Sequence, residues 1–179
     1  MTDNPTDKKR GRIAEYLPLI QAADGLTLSQ ICSLSKLEPS TIQNWIKRGY
    51  VPNPIEKKYY ERHLARILLI SELRESMQID HVGELLRYVN GDTDDESDDI
   101  ITEEALYDLF YEITDRLKKD YPAPDKVGEI VRECVTLTVG KAVSEKLVNA
   151  LDIMARAYMA NLYKREADAL FLARVLLPE

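Results

Sequence analysis

Apolar residues return every three or four positions along most of this chain, with polar residues filling the turns between. Ile13, Tyr16, Leu17 and Ile20 anchor a short helix over Arg12 to Ala23. Leu28, Ile31 and Leu34 mark a second, opened by a Thr27/Gln30 capping box. Pro39 suits a first helical position and Gly49 a C-terminal stop, so Ile42, Trp45 and Ile46 form the inner face of a third. Leu64, Ile67, Leu68 and Ser71, widened by Leu69 and Leu73, predict a helix over Glu61 to Ser76. Val82, Leu85, Leu86 and Val89 predict another over Ile79 to Val89.

Thr102 caps a helix carrying Ala105, Leu106, Leu109, Phe110, Ile113 and Leu117, which should end near Tyr121 to Pro124. Asp125 introduces one through Val127, Ile130, Val131 and Val135, weakened near Thr136 to Gly140 by β-branching and glycine. From Ala142 to Val175 the pattern through Val143, Leu147, Leu151, Met154, Met159 and Leu162 predicts one long helix or two with a bend. The fold class read from this pattern is all-α.

The stretch 27–61 adds chemistry. Ser40, Thr41, Asn44, Lys47 and Arg48 share the outer side of the third helix, with Gln43 at its border. Short polar groups, amides and cations on one face suit base edges and phosphates. Tyr50 to Ile55 cannot be helical through Pro52 and Pro54. Lys57, Lys58, Tyr59 and Tyr60 then make a compact basic and aromatic cluster that reads as a wing on a phosphate backbone, with Arg62 emerging beside it. The segment predicts a winged helix-turn-helix domain over 27–90, with helix 39–48 in a major groove and wing 50–60 on the backbone.

Charge sorts by region. Of 179 residues with a net charge of -7, the first 90 hold 13 Lys/Arg and 11 Asp/Glu, whereas residues 91–179 hold 11 and 20. Only the first half could face a polyanion. Residues 92–99 contain six acids and read as an exposed linker, 91–101, that spaces the halves. Its spacing lacks the central glycine and final glutamate of a calcium loop. Residues 1–26 are an arm and short helix, with Lys8, Lys9 and Arg10 in the arm; residues 102–179 form an all-helical dimerisation or regulatory domain.

No cofactor or metal is expected. His63 and His81 have no ligand set beside them, and Cys32 and Cys134 read as buried free thiols. No serine, histidine and acid arrangement or phosphate-cradling loop appears, so no enzyme is expected. No apolar run reaches membrane-spanning length and no secretion signal leads the chain, which places the protein in the cytoplasm. The long distal helix has apolar residues on enough faces to cover a neighbour and a second copy, so a homodimer is expected. Distal methionines and tyrosines leave room for a small-molecule effector.

Thr27 to Val89 resembles the N-terminal winged-helix domain of the mercury-resistance regulator (MerR) family, through LSQICSLSKLEPSTIQNWIKRGYVPNP, the KKYY wing and LISELRESMQIDHVGELL. With its helical tail, nearly the whole chain is similar to a bacterial family known as domain of unknown function 1836. The resemblance implies a homodimer that binds double-stranded DNA sequence-specifically, through Ser40, Thr41, Gln43, Asn44, Lys47 and Arg48 in the recognition helix and Lys57, Lys58, Tyr59 and Tyr60 in the wing. Glu38 stands where such helices often carry a capping serine, Trp45 where they often have tyrosine, and the distal half lacks the family's cysteine ligands. The expected function is a DNA-binding transcriptional regulator; the alternative is a protein-interaction adaptor on a winged-helix scaffold.

Overall fold

A computed structural model describes residues 11–140 and 144–176. The expected arm residues Lys8, Lys9 and Arg10, and Ala142 and Val143 of the distal pattern, lie outside the described residues. Eight α-helices run α1 (Ile13–Ala22), α2 (Leu28–Ser35), α3 (Pro39–Lys47), α4 (Glu61–Leu73), α5 (Ile79–Asn90), α6 (Glu103–Asp120), α7 (Val127–Val139) and α8 (Glu145–Phe171). The last continues as a wider π-helical turn over Leu172–Leu176.

Helix α4 is the hub. Every residue from His63 to Ser71 is buried, so this helix has no solvent face for most of its length. It packs against α1, α2, α5, α6 and α8, and one continuous cluster of buried side chains runs from Ile13 to Met159. An apolar surface on all sides of ARILLI allows neighbours from both ends of the chain to share it. Burial of this kind contributes roughly 1.5–3 kcal/mol for each large aliphatic side chain.

Local chemistry sets the helix ends. Thr27 Oγ1 accepts from the Gln30 backbone N–H, while the Gln30 side chain accepts from the Thr27 N–H, closing the capping box read from the sequence. Thr102 caps α6 through the Ala105 N–H. Helix α1 borrows its anchor from another element: the Ile13 N–H donates to Asp108 Oδ1 of α6 at 2.7 Å, and Arg12 pairs with Glu112. The N-terminal helix therefore packs on both α4 and α6.

The all-α class stands, but the winged helix-turn-helix does not. Helices α2 and α3 form as read, yet no β-strand occurs among the described residues. The segment 50–60 contains only two isolated bridges, Leu26 with Tyr59 and Ile55 with Lys58. Pro52 and Pro54 remove two ladder donors, and the Ile55–Lys58 turn spends Glu56 and Lys57 at positive φ, leaving too few residues for paired strands. The expected winged domain over 27–90, and the likeness to mercury-resistance regulators drawn from it, are corrected on this ground.

Candidate functional site

The residues expected to touch DNA separate into an open set and a turned-in set. On α3, Ser40, Gln43, Asn44 and Lys47 are exposed and Thr41 is half-buried. Pro39 starts this helix without a side-chain cap from Glu38. Ile42 and Trp45 are buried beneath it, with the Arg74 guanidinium 5.5 Å from the Trp45 ring centroid. Arg48 faces sideways: it pairs with Asp80 of α5 and lies 4.6 Å over the Tyr50 ring. The Tyr50 hydroxyl donates to the same Asp80, and these two partners hold the Asp80 carboxyl below its ordinary range, the tyrosine hydrogen bond foremost.

The expected wing residues mostly serve the interior. Lys57 is exposed at the turn. Lys58 Nζ donates to the carbonyls of Ala23 and Gly25, at 3.0 and 3.2 Å, and so caps the C-terminal end of α1. Tyr59 is buried, exchanges both backbone hydrogen bonds with Leu26, and sits edge-on to His63 at 5.6 Å. Tyr60 is half-buried and precedes α4 as its N-cap. Arg62 donates to the Thr93 carbonyl and pairs with Glu96. The recognition mechanism read from the sequence, α3 in a groove with a wing along the backbone, falls with the wing. So does the adaptor built on the same scaffold.

His63 has a structural role that the sequence did not show. Its Nδ1 accepts from the Tyr60 N–H at 3.0 Å, which leaves Nε2 to donate to the Asn53 carbonyl at 3.0 Å. The ring is a neutral helix cap, and burial lowers its pKa. Cys134 is buried, while Cys32 is only half-buried, and both are free. Burial pushes both thiols up, so neither is a ready thiolate.

The acidic segment 91–101 is largely exposed, as its composition suggests, but it is tied down. Asp94 accepts from both the backbone N–H and the side-chain amide of Asn53, at 3.2 and 3.1 Å. A short 3-10 turn, Glu96–Asp98, follows. Beneath it lies a buried polar cluster: Arg66 of α4 pairs with Glu103 of α6, donates to the Tyr50 carbonyl at 2.7 Å, and shares Glu103 with the amide of Asn90. Asp99 stands beside this cluster with its carboxyl pushed up to about 6, first by burial and then by the charges of Glu103 and Asp98. Among the described residues, no group of three or more His, Cys, Asp or Glu is placed to hold a metal ion.

Two features lie outside the stretch that sequence reasoning favoured. A cleft of about 360 Å³ opens where the last turns of α4 and α6 meet α8. Beyond it, the final turns of α8 and its π-helical continuation stand exposed: Leu170, Phe171, Leu172, Val175 and Leu176 are each 44–59% accessible. The long apolar pattern marked that helix, but not which of its residues remain uncovered. Among the described residues, no helix is long and apolar enough to cross a membrane.

These features define an all-α protein organised around one central helix, with an uncovered apolar helix end. The chain belongs to the family described as Domain of unknown function (DUF1836), whose model matches residues 20–110. That span runs from the end of α1 into α6 and includes the whole of α4. The chain also resembles the "Uncharacterized protein YkrK" of Bacillus subtilis (strain 168), with 29% identity over 85 residues. The match covers 45% of this chain and 36% of that protein, so the chain spans little more than a third of the relative's length. No solved structure matches the chain significantly.

Proposed function

We propose that this protein is a self-associating helical module whose homodimer forms through the distal end of α8. The observation that carries this reading is the uncovered stripe Leu170, Phe171, Leu172, Val175 and Leu176. A helix end of three to four turns is marginal in water without packing, because its propagation barely offsets the cost of ordering it. From Tyr163 to Leu176 every residue is exposed, so the described residues provide no such packing.

The sequence of this end favours a second copy of itself as the cover. In an antiparallel pair centred on Leu170, Arg174 of one copy faces Glu166 of the other, twice by symmetry, and Ala167 faces Ala173. Opposite charges meet at the rim while small residues let the axes approach. An isologous contact of this kind closes on itself and stops at two copies.

Sedimentation of the full chain tests the reading. The wild type is expected to be a dimer at micromolar concentration, and Leu170→Asp a monomer with unchanged helical content. Arg174→Glu sets like charges against Glu166 and should weaken the dimer about tenfold, from two pairs worth roughly 0.2–1 kcal/mol each. The double exchange Glu166→Arg with Arg174→Glu should restore it. A monomeric wild type overturns the proposal, and failure of the exchange overturns the antiparallel register.

A further inference from the structure

The cleft between the ends of α4 and α6 and the middle of α8 has a composition unlike the rest of the surface. Glu72 comes from the last turn of α4, and Lys118 and Tyr121 come from the last turn and C-cap of α6. Asn161, Arg165 and Glu166 come from α8. The cleft therefore carries two cations, two carboxylates, a phenol and an amide within about 360 Å³, enough for a small metabolite.

Asn161 is the residue that points to a ligand. It is 93% buried by its 7% accessibility, yet its side chain has no hydrogen-bond partner among the described residues. A buried amide costs about 1–3 kcal/mol unless its donors and acceptor are paired. Asparagine at this position is unfavourable for the fold alone and suits a site where a bound molecule supplies the partner. Glu72, Lys118 and Arg165 also interact within the protein, so a ligand would join a charged network already in place.

The charges are arranged by sign. Helices α4 and α6 both end at the cleft, and a helix C-terminus carries partial negative charge from its last carbonyls. Together with Glu72 and Glu166, these ends suit a cationic group. Lys118 and Arg165 suit a carboxylate, Arg165 through its planar fork. Tyr121 adds a rigid wall: its φ is +45°, its hydroxyl donates to Glu166 Oε2 at 2.7 Å, and its ring stands edge-on to Tyr163 at 5.2 Å. That hydrogen bond pushes the phenol up to about 12, so the hydroxyl stays protonated and keeps Glu166 oriented.

We infer that this cleft binds a small zwitterion of the α-amino acid class, with its ammonium toward Glu72 and Glu166, its carboxylate toward Lys118 and Arg165, and Asn161 completing the polar contacts. The inference does not depend on the dimer.

Thermal unfolding of the full chain with each of the twenty standard α-amino acids at millimolar concentration tests it. Ethylamine and propionate serve as single-charge probes. At least one amino acid should raise the midpoint saturably, while neither single-charge probe should do so. Arg165→Ala is a solvent-exposed change that leaves the core intact, and it should weaken that binding at least about tenfold through loss of a charge-assisted contact. Asn161→Ala should weaken binding without lowering the ligand-free midpoint, which separates a ligand contact from a structural one. Leu170→Asp should leave binding unchanged. The inference is overturned if no amino acid shifts the midpoint, if propionate or ethylamine acts equally, or if Arg165→Ala binds as the wild type does.

Discussion

Arg66 of α4 and Glu103 of α6 form an ion pair in which both side chains are almost fully buried, at 2% and 7% side-chain accessibility. The guanidinium also holds the Tyr50 carbonyl, and Asn90 leans on the carboxylate, so α4, α5, α6 and the loop after α3 meet at one polar point. One carboxylate oxygen of Glu103 and the carbonyl oxygen of Asn90 have no partner there. The pair orients packed elements within a core that is otherwise apolar.

Removing one partner leaves the other charge buried and alone. Glu103→Ala or Arg66→Ala should each lower stability by about 3–5 kcal/mol, measured by urea unfolding. Replacing both, as Arg66→Met with Glu103→Leu, should cost clearly less than the sum of the single changes. A strictly additive double variant would show that the pair does not act as a unit.

Trp45 is the chain's single tryptophan and is only 3% exposed. Trp45→Ala should lower stability by roughly 3–5 kcal/mol, because the small α2/α3 layer cannot collapse into so large a void. The same residue reports on folding: its emission should be blue-shifted in the native protein and move red across the urea transition. An unshifted urea midpoint in the alanine variant would count against its packed position.

Much of this was legible in the sequence, and the reasons differ by element. Thr27/Gln30 and Thr102 are local signals, settled within one turn of chain, and the helices they open lie where the pattern puts them. The all-round apolar stretch of α4 marked a buried helix, but periodicity cannot say which elements will share it. The error was at Lys57 to Tyr60. Basic and aromatic composition looked the same whether the groups faced solvent or not; only the folded chain shows Lys58 capping α1 and Tyr59 inside the core. The cleft was hidden for a similar reason, since Glu72, Lys118 and Asn161 are far apart in sequence and meet through packing of three helices.

Gly83 permits the close approach of Tyr50. A Cβ added there would lie 2.5 Å from Tyr50 Cε1, so the ring, held by Asp80 and by the Arg48 guanidinium above it, must move. Gly83→Ala should destabilise by about 1–3 kcal/mol despite its better helix propensity. Pairing it with Tyr50→Leu should recover part of that loss, and the coupling can be read from a double-mutant cycle in urea.

Asp99 gives the protein a pH dependence of unusual sign. Around it stand Glu103 and Asp98, which raise its pKa, and Arg62 and Arg66, which lower it; burial is the largest cause, and the result is about 6 against an ordinary 3.8. The native state therefore holds this proton more tightly than the unfolded chain. Its contribution to stability is greatest below the ordinary value, declines as pH rises from near 4 to about 6, and becomes a constant penalty above that. His63 acts oppositely, because its lowered pKa supports stability above its ordinary 6.5 and withdraws that support as pH falls through the native value. The two trends overlap near pH 6, so the wild-type profile alone cannot separate them. The difference between Asp99→Asn and wild type can. Urea midpoints should be higher for Asp99→Asn at pH 7.5, and the gap should narrow as pH falls below about 6 and the wild-type carboxyl takes its proton. A gap that is constant from pH 4 to 7.5, or a variant less stable than wild type at pH 7.5, would show that Asp99 is not held against ionisation by its surroundings.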